Sequence, residues 1–265
     1  MDAETALKEL IRRHREEAIR YYQPLPKFIE AHKSMALVVA CFGGNRSGKS
    51  EWLTTEFIIR MTGWVPDSLK GIYPEEKLKN KMDCRLAVVD FGHGWEEILK
   101  PKFQALVPQR CLLNDSWEKS WSKEFRRLRL YNVKQWLAGG ELKVWRDIST
   151  MHVMSFDQEE KSYKGAALDL AGHDEFPPEW LWKQNLMRLP DKKGQMLLAM
   201  TPDDTRGDPS WVFNEVYERG IPGSNKDPNI DVFTIFTEDN PYLDQETVQK
   251  IIANLSEEER EVRLH

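Results

Sequence analysis

The residues best suited to chemistry form the segment 43–50, which matches the pattern G-x-x-x-x-G-K-[ST]. Glycines in such a loop let backbone N–H groups face anionic oxygens, and the helix that follows directs its positive end to the same point. An apolar run, 36–42, precedes the segment, and residues 52–61 follow with apolar side chains at helical spacing. This context favours a loop that binds the phosphates of a nucleotide over an ordinary glycine-rich turn. The predicted nucleotide-binding residues are Gly43, Gly44, Asn45, Arg46, Ser47, Gly48, Lys49 and Ser50.

Two acidic residues could complete a hydrolytic site. In loops of this kind the lysine, here Lys49, reaches the β- and γ-phosphates, and the hydroxyl, here Ser50, binds Mg²⁺. Asp174 and Glu175 follow an apolar stretch, where a neighbouring strand would end. We predict that Asp174 orients the metal and that Glu175 polarises the attacking water. The simpler interpretation, two acids that cap a strand, is less favoured because the phosphate loop precedes them in the same chain.

Strand-like and helical segments that alternate over the whole length must position these residues. The strand-like runs are 36–42, 85–90, 151–156, 166–171, 195–200 and 231–236, and helical patterns cover 95–106 and 245–255. Such alternation predicts an α/β fold with a mainly parallel central β-sheet flanked by helices. With the phosphate loop and the acidic pair, the predicted class is a P-loop NTPase of the ASCE type.

The N-terminal part predicts a helical lead-in. Residues 3–22 carry apolar side chains on one stripe, which predicts an amphipathic helix packed on the domain. The prolines of 23–26 end this helix, and a short helix follows over 27–32. We therefore divide the chain into a lead-in, 1–34, and a P-loop ATPase domain, 35–265. Gln23 is a candidate for reading an adenine edge, although a solvated glutamine at a helix end is the simpler interpretation.

The segment 111–147 is the most basic and aromatic part of the chain. Its tryptophans, which include Trp136 and Trp145, alternate with lysines and arginines. One interpretation is a nucleic-acid or partner surface, in which an arginine completes the site of a neighbouring subunit. The favoured interpretation is a helix and hairpin whose tryptophans pack on the sheet while the cations stay solvated. The candidate arginines are Arg126, Arg127 and Arg129.

Composition limits the possible partners and the cellular compartment. A net charge of -5 over 265 residues gives no general attraction to DNA or anionic membranes, so nucleic-acid contact requires a local basic face. The three cysteines lack zinc-site spacing, and their odd number argues against a disulfide framework, which predicts a reducing cytosol. No apolar run approaches the roughly 20 residues that a bilayer span needs. We expect a soluble, unsecreted protein without a membrane partner.

Three motifs, in this order, resemble the ATPase half of the large terminase subunit that packages DNA into bacteriophage heads. They are the loop 43–50, the acidic segment His173–Pro178 and the segment Met200–Pro202. Residues 155–158, 238–243 and 255–265 also resemble the closing stretch of that family. The similarity covers roughly residues 35–265, and the combination of motifs is more specific than the phosphate loop alone.

The resemblance implies ATP and Mg²⁺ as cofactors and ATP hydrolysis that drives double-stranded DNA into a procapsid. Thr201 matches the motif that couples loss of the γ-phosphate to domain movement, and Arg46 matches an arginine that senses or stabilises the γ-phosphate. The implied partners are the small terminase subunit, the portal protein and further copies in a ring, in the cytoplasm of the infected bacterial host. The family also carries a C-terminal nuclease domain, which we expect in the full-length protein and not in this chain, so no nuclease activity is predicted.

The chain departs from the family pattern in the run Ala171-Gly172-His173, where bulky apolar residues are common, and at Met200, which fills a usually small position. Gln23 does not align convincingly with an adenine-reading glutamine. The acids after the coupling motif are expected to be solvated and not to form a nuclease site; they are Asp203, Asp204 and Asp208. Two alternative functions stay open: another nucleic-acid-acting ATPase such as a helicase, and a nucleotide-gated binding switch. The adjacent acids Asp174 and Glu175 favour hydrolysis over the switch.

Overall fold

A computed structural model describes residues 2–132, 148–163, 165–202 and 208–254. Within these ranges one sheet holds eight strands in the order β3-β4-β5-β2-β6-β7-β1-β8. All neighbours from β5 to β8 are parallel, whereas β3-β4 and β4-β5 are antiparallel. The predicted α/β fold with a mainly parallel sheet is therefore confirmed. The strands are β1 (Val38–Gly43), β2 (Asp83–Val88), β3 (Trp121–Ser122), β4 (Arg127–Tyr131), β5 (Ile148–Ser155), β6 (Leu170–Asp174), β7 (Gln195–Met200) and β8 (Ile230–Ile235).

Helices cover both faces of the sheet. The α-helices are α1 (Ala3–Glu16), α2 (Pro26–Lys33), α3 (Lys49–Thr62), α4 (Lys100–Leu106), α5 (Trp117–Ser120), α6 (Glu179–Leu186), α7 (Ser210–Val212), α8 (Glu218–Gly220) and α9 (Gln245–Asn254). Two π-helical segments, Phe91–Leu99 and Phe213–Tyr217, lead into α4 and α8. The 3-10 turns are Ala18–Tyr21, Asp67–Leu69, Glu75–Lys77, Gln109–Cys111, Leu113–Asp115, Glu160–Tyr163, Pro190–Lys192 and Thr237–Asp239. No helix of the described ranges is long and apolar enough to cross a membrane.

The sheet separates two apolar cores because its central strands are buried on both sides. In β1, Val39 and Cys41 belong to the core beneath α3, whereas Ala40 and Phe42 belong to the core on the opposite face. Continuous apolar runs such as β1 and β7 follow from this double burial. The phosphate loop therefore leaves a strand that is packed from both directions.

Two predicted elements differ in the structure. The strand expected over 166–171 is instead β6, Leu170–Asp174, so Asp174 itself lies in the ladder opposite Ala199. The predicted helix over 3–22 ends at Glu16, and its Leu7 and Leu10 are exposed, so the expected packing of this helix on the domain is wrong. The chain joins the main core only afterwards, through Ile19 and Tyr22.

The basic and aromatic segment forms, in its described part, the predicted helix and hairpin. α5 leads into β3, which pairs with β4 in an antiparallel hairpin. Trp121 is buried and lies against Trp95, with ring centroids 4.7 Å apart. Trp136 and Trp145 lie outside the described residues, as do Asp203, Asp204 and the segment 255–265.

A buried ionic cluster joins α2 to α3. The carboxylate of Glu56 accepts hydrogen bonds from Arg60 Nε at 2.8 Å and Tyr73 Oη at 2.9 Å, and it lies 2.6 Å from His32 Nδ1. Although burial opposes ionisation, Lys77 and Arg60 hold the pKa of Glu56 well below its usual range. Removing a partner from a buried charge is strongly destabilising, because the remaining charge is left uncompensated. The cluster therefore fixes the helix that follows the phosphate loop.

Packing against α3 requires a glycine at position 172. A Cβ atom at this position of β6 would lie 2.4 Å from Cε2 of Phe57, on α3. Phe57 is fully buried and therefore occupies the space that a bulky residue on β6 would need. The side chain of Phe57 thus fills the layer between α3 and β6 at this point.

We predict that Gly172→Ala lowers the free energy of unfolding by about 1–3 kcal/mol, because an overpacked core must shift. The additional replacement Phe57→Leu should recover part of this loss. Chemical denaturation measures both, with Gly223→Ala as the matched control, since a Cβ there meets no atom within 4 Å. Equal stability of the Gly172→Ala and Gly223→Ala proteins would contradict this account of the packing.

Candidate nucleotide-binding and hydrolysis site

The loop between β1 and α3 has a backbone that only particular residues permit. A Cβ atom on Gly43 would lie 2.0 Å from the carbonyl oxygen of Ile235, on the neighbouring strand β8. Gly48 has φ of 95°, a left-handed conformation that glycine adopts without steric cost. Both glycines of the motif are thus required by geometry, and the loop turns directly into the first residue of α3, Lys49.

Lys49 lies buried inside the loop. Its Nζ donates to the carbonyl of Gly44 at 2.7 Å and to Oγ of Ser47 at 3.3 Å. Burial lowers the pKa of Lys49, and the nearby charges of Glu175 and Asp174 oppose that shift. The ammonium is therefore held at the centre of the loop, on the side that the two acids share.

Ser50 and Asp174 bring the two predicted motifs into direct contact. Ser50 Oγ donates to Asp174 Oδ1 at 2.8 Å, although the residues lie 124 positions apart. Burial and the neighbouring charge of Glu175 raise the pKa of Asp174 to about 7. Among the described residues no cation lies within ion-pair distance of this carboxylate. The site offers hard oxygen ligands, and no cation of the described residues pairs with Asp174, which fits a Mg²⁺ ion.

No group of three or more His, Cys, Asp or Glu side chains in the described ranges could hold a metal ion alone. Magnesium in nucleotide sites needs no such cage, because one or two protein ligands, the substrate phosphates and water complete its shell. Ser50 and Asp174 are the residues that fit this arrangement.

Glu175 has a strained backbone at the end of β6. Its φ of 76° is unusual for a residue with a side chain, and such strain is concentrated at functional sites. Its N–H donates to Ala199 O at 2.7 Å, while its Oε2 accepts from the N–H of Thr201 at 3.0 Å. The carboxylate is thereby fixed at the junction of β6 and β7.

Thr201 connects that junction to the phosphate loop. It follows β7, the strand between β1 and β6, and is buried. Its Oγ1 lies 3.5 Å from Asn45 Oδ1, and its N–H contacts Glu175. One residue thus contacts both halves of the predicted site. Met200, in the usually small position before it, fits because its side chain packs in the core on the opposite face.

Two residues that the sequence analysis did not assign hold the loop from its other side. Thr237 Oγ1 donates to the carbonyl of Asn45 at 2.8 Å, and Asn240 Nδ2 donates to the carbonyl of Arg46 at 2.7 Å. Both follow β8, within or beside the segment 238–243 that carried part of the family resemblance. Their contacts could not be inferred, because only the pairing of β8 with β1 brings them to the loop.

The remaining predicted residues lie on the rim. Arg46 is exposed and has φ of 62°, so its side chain stands outside the fold at the turn of the loop. Gln23 is exposed in a small pocket that also includes Phe28, Gly48 and Tyr242. The structure therefore places Gln23 beside the loop, and its role in reading adenine stays a prediction.

Comparisons with known proteins extend these observations. No protein-family model and no curated protein matches the sequence. Among solved structures, the large terminase ATPase domain of a Thermus phage is similar with a TM-score of 0.63 and 17% identity, over 93% of this chain and 94% of that chain. The large terminase of a second, thermophilic bacteriophage is similar with a TM-score of 0.64 and 12% identity, over 91% of this chain and 53% of that chain.

A structure of this second terminase in complex with ATP-γ-S is similar with a TM-score of 0.62 and 13% identity, over 91% of this chain and 52% of that chain. The chain thus spans about half the length of the second terminase. At these identities the likeness concerns the fold, which is that of the large terminase ATPase domains, a P-loop NTPase fold. The resemblance predicted from sequence is confirmed at this level.

We predict that Thr237→Val weakens ATP binding about 2- to 12-fold, because one hydrogen bond that holds the loop, worth about 0.5–1.5 kcal/mol, is lost without a change of shape. Isothermal titration with a non-hydrolysable ATP analogue measures the affinity. Thr62→Val is the matched control, since its hydroxyl bonds Ile58 O within α3, far from the loop. Identical affinities for the two variants would show that Thr237 does not shape the loop.

Proposed function

We propose that this chain is the ATPase domain of a large terminase subunit, a motor that hydrolyses ATP to move double-stranded DNA into a procapsid. The observation that carries the proposal is the 2.8 Å contact between Ser50 and Asp174, which unites the phosphate loop and the acidic pair at one edge of the sheet. The shared fold with large terminase ATPase domains over 93% of the chain supports the assignment to this kind of motor.

The binding step uses the loop. Backbone N–H groups of residues 43–50 surround the phosphates, Lys49 contacts the β- and γ-phosphates, and α3 directs its positive end to them. Ser50 and Asp174 would hold Mg²⁺, which would supply positive charge to the triphosphate oxygens. The raised pKa of Asp174 supports this role, because its carboxylate is buried and has no cation partner in the described part of the chain.

The hydrolytic step uses Glu175 as the group that orients and polarises water for in-line attack on the γ-phosphorus. Its carboxylate is suited to this task because the N–H of Thr201 fixes one oxygen and leaves the other for water. Arg46 stabilises charge on the γ-phosphate from the exposed side of the loop. A guanidinium in that position offsets the charge that develops during phosphoryl transfer.

Coupling to movement is assigned to Thr201. Loss of the γ-phosphate changes the charge between Lys49 and Glu175, and Thr201 contacts Glu175 directly. Through this contact the change in charge is passed to the segment that follows β7, which then shifts its conformation. Coupling of this kind requires an element whose conformation depends on both sites. Double-stranded DNA, the small terminase subunit, the portal protein and further copies in a ring are the proposed partners, in the cytoplasm of an infected bacterial host.

Two other functions make different demands on the same residues. A helicase would be stimulated by single-stranded nucleic acid and would separate strands. A nucleotide-gated switch would need Lys49 for binding and would tolerate loss of Glu175. The strained backbone of Glu175 and its fixed carboxylate favour hydrolysis, since a switch gains nothing from them.

We predict that Glu175→Gln lowers steady-state phosphate release about 10²- to 10⁴-fold while ATP affinity stays within about 3-fold, because this replacement removes the base and keeps the shape. Lys49→Ala should lose both binding and turnover. The assay is continuous phosphate release with and without duplex or single-stranded DNA. Stimulation by duplex DNA supports the motor, whereas stimulation by single strands alone would indicate a helicase. Equal turnover of the wild type and Glu175→Gln would contradict the assignment of the base.

A further inference from the structure

A second pocket lies on the sheet face opposite α3. Its volume is about 410 Å³, and residues from β2, β5 and the β3-β4 hairpin contribute to its lining. Asp83 and Leu168, at the amino ends of β2 and β6, lie at one side of it. The phosphate loop instead follows the carboxyl end of β1. The pocket is therefore separate from the proposed hydrolytic site.

Basic side chains cross this face in one row. His152 of β5 is in register with Arg127 of β4 on one side and with Arg85 of β2 on the other. Like charges opposite one another on neighbouring strands repel. Partial burial and the charges of Arg127 and Arg85 lower the pKa of His152. The row holds two permanent cations, of which Arg85 lines the pocket and Arg127 lies on the far side of His152.

Arg85 is the most deeply buried of these cations, with 7% exposure. Its Nη1 donates only to neutral acceptors, Tyr163 O at 3.1 Å and Asn185 Oδ1 at 2.7 Å. Its Nε is buried and has no hydrogen-bond partner. Burial lowers the pKa of Arg85 to about 10, as expected of a charge without a counter-ion. A buried donor that lines a cavity and lacks an acceptor points to a ligand that supplies one.

The nearby carboxylates do not supply this acceptor. Asp83 accepts from Lys192 at 2.5 Å, and Asp169 accepts from Lys79 at 2.7 Å. In the ranges that the structure describes, Arg85, Arg126 and Arg127 form no ion pair. Arg126 instead lies over the ring of Phe91, with its guanidinium carbon 3.6 Å from the ring centroid. The pocket thus combines excess positive charge with unused donors.

We infer that this pocket binds a phosphate-type oxyanion, with Arg85 and Arg126 as the cationic donors and Gln158 and Ser162 as neutral ones. All four line the cavity. The oxygen of the Gln158 amide is already engaged by the N–H of Ser155, which leaves its NH₂ group to donate. Guanidinium groups suit such a ligand because their planar forks match phosphate oxygens. The oxyanion comes either from free phosphate or from the phosphodiester backbone of a nucleic acid, which share this chemistry.

The test uses a carboxylate placed where the anion would lie. His152 is exposed, so His152→Glu should fold and pair with Arg85 and Arg127. The experiments use the Lys49→Ala background, in which phosphate binding at the loop between β1 and α3 is disabled. In that background inorganic phosphate should raise Tm more than chloride of equal ionic strength. Adding His152→Glu should raise Tm without phosphate and abolish the phosphate-dependent rise.

Matched arginine variants locate the effect. Arg126→Gln should weaken phosphate binding about tenfold or more, since hydrogen bonds to charged groups are strong. Arg219→Gln, an exposed arginine on α8, should leave it unchanged. A labelled 20-base-pair duplex supplies the second arm, measured by fluorescence anisotropy against salt. If the oxyanion is a phosphate of the nucleic-acid backbone, the His152→Glu protein should bind the duplex more weakly. The Arg126→Gln protein should then release about one counter-ion fewer on binding, so that its affinity for the duplex falls less steeply with salt.

If the ligand is free phosphate, the His152→Glu protein should bind the duplex as before and should lose the phosphate-dependent rise in Tm. The inference is overturned if His152→Glu alters neither the response to phosphate nor the affinity for the duplex. None of these readouts involves hydrolysis. Failure of the oxyanion site and failure of the proposed ATPase activity can therefore be told apart.

Discussion

The contact between Ser50 Oγ and Asp174 Oδ1 is the interaction on which the account of the site depends. It exists because β1 and β6 are separated by one strand, β7, so that the first turn of α3 reaches the end of β6. Burial of Asp174 makes the contact chemically consequential, since a buried carboxylate beside Glu175 resists ionisation until positive charge arrives. A bound Mg²⁺ ion would supply that charge. The strand order thus brings the two residues together, and burial and the charge of Glu175 make this point of the sheet edge suited to a cation.

Opposing constraints hold the loop in place. On one side, β8 approaches so closely that Gly43 has no room for a side chain, and Thr237 and Asn240 bond the loop carbonyls. On the other, Thr201 and Glu175 bond each other beneath it. Behind it, the Glu56 cluster fixes α3 against α2. A loop held from three directions costs little reorganisation when a triphosphate binds, which is the condition for electrostatic catalysis. Among these residues Thr201 is the one that contacts both the loop, at Asn45, and Glu175.

How much could be predicted from sequence depends on whether a feature is local. The loop 43–50 was predictable because glycine and lysine spacing acts within eight residues, and the alternation of strands and helices made the parallel sheet predictable. The bounds of β6 were not, because Leu170–Asp174 includes polar residues that only neighbouring strands make buried. Three further features depend on contacts between residues far apart in sequence. They are the left-handed backbone of Glu175, the contacts of Thr237 and Asn240, and the exposure of α1. The same holds for Arg85, whose buried and uncompensated charge depends on register among three strands.

The central claim is that this edge of the sheet activates water against the γ-phosphorus of ATP. Single-turnover hydrolysis in ¹⁸O-labelled water tests it most directly, because the label reports which bond forms. The account predicts that each released phosphate contains one solvent oxygen, that ADP contains none, and that both products fall together in the Glu175→Gln protein. Recovery of intact ATP from a saturated wild-type site, or of phosphate without solvent oxygen, would contradict the claim.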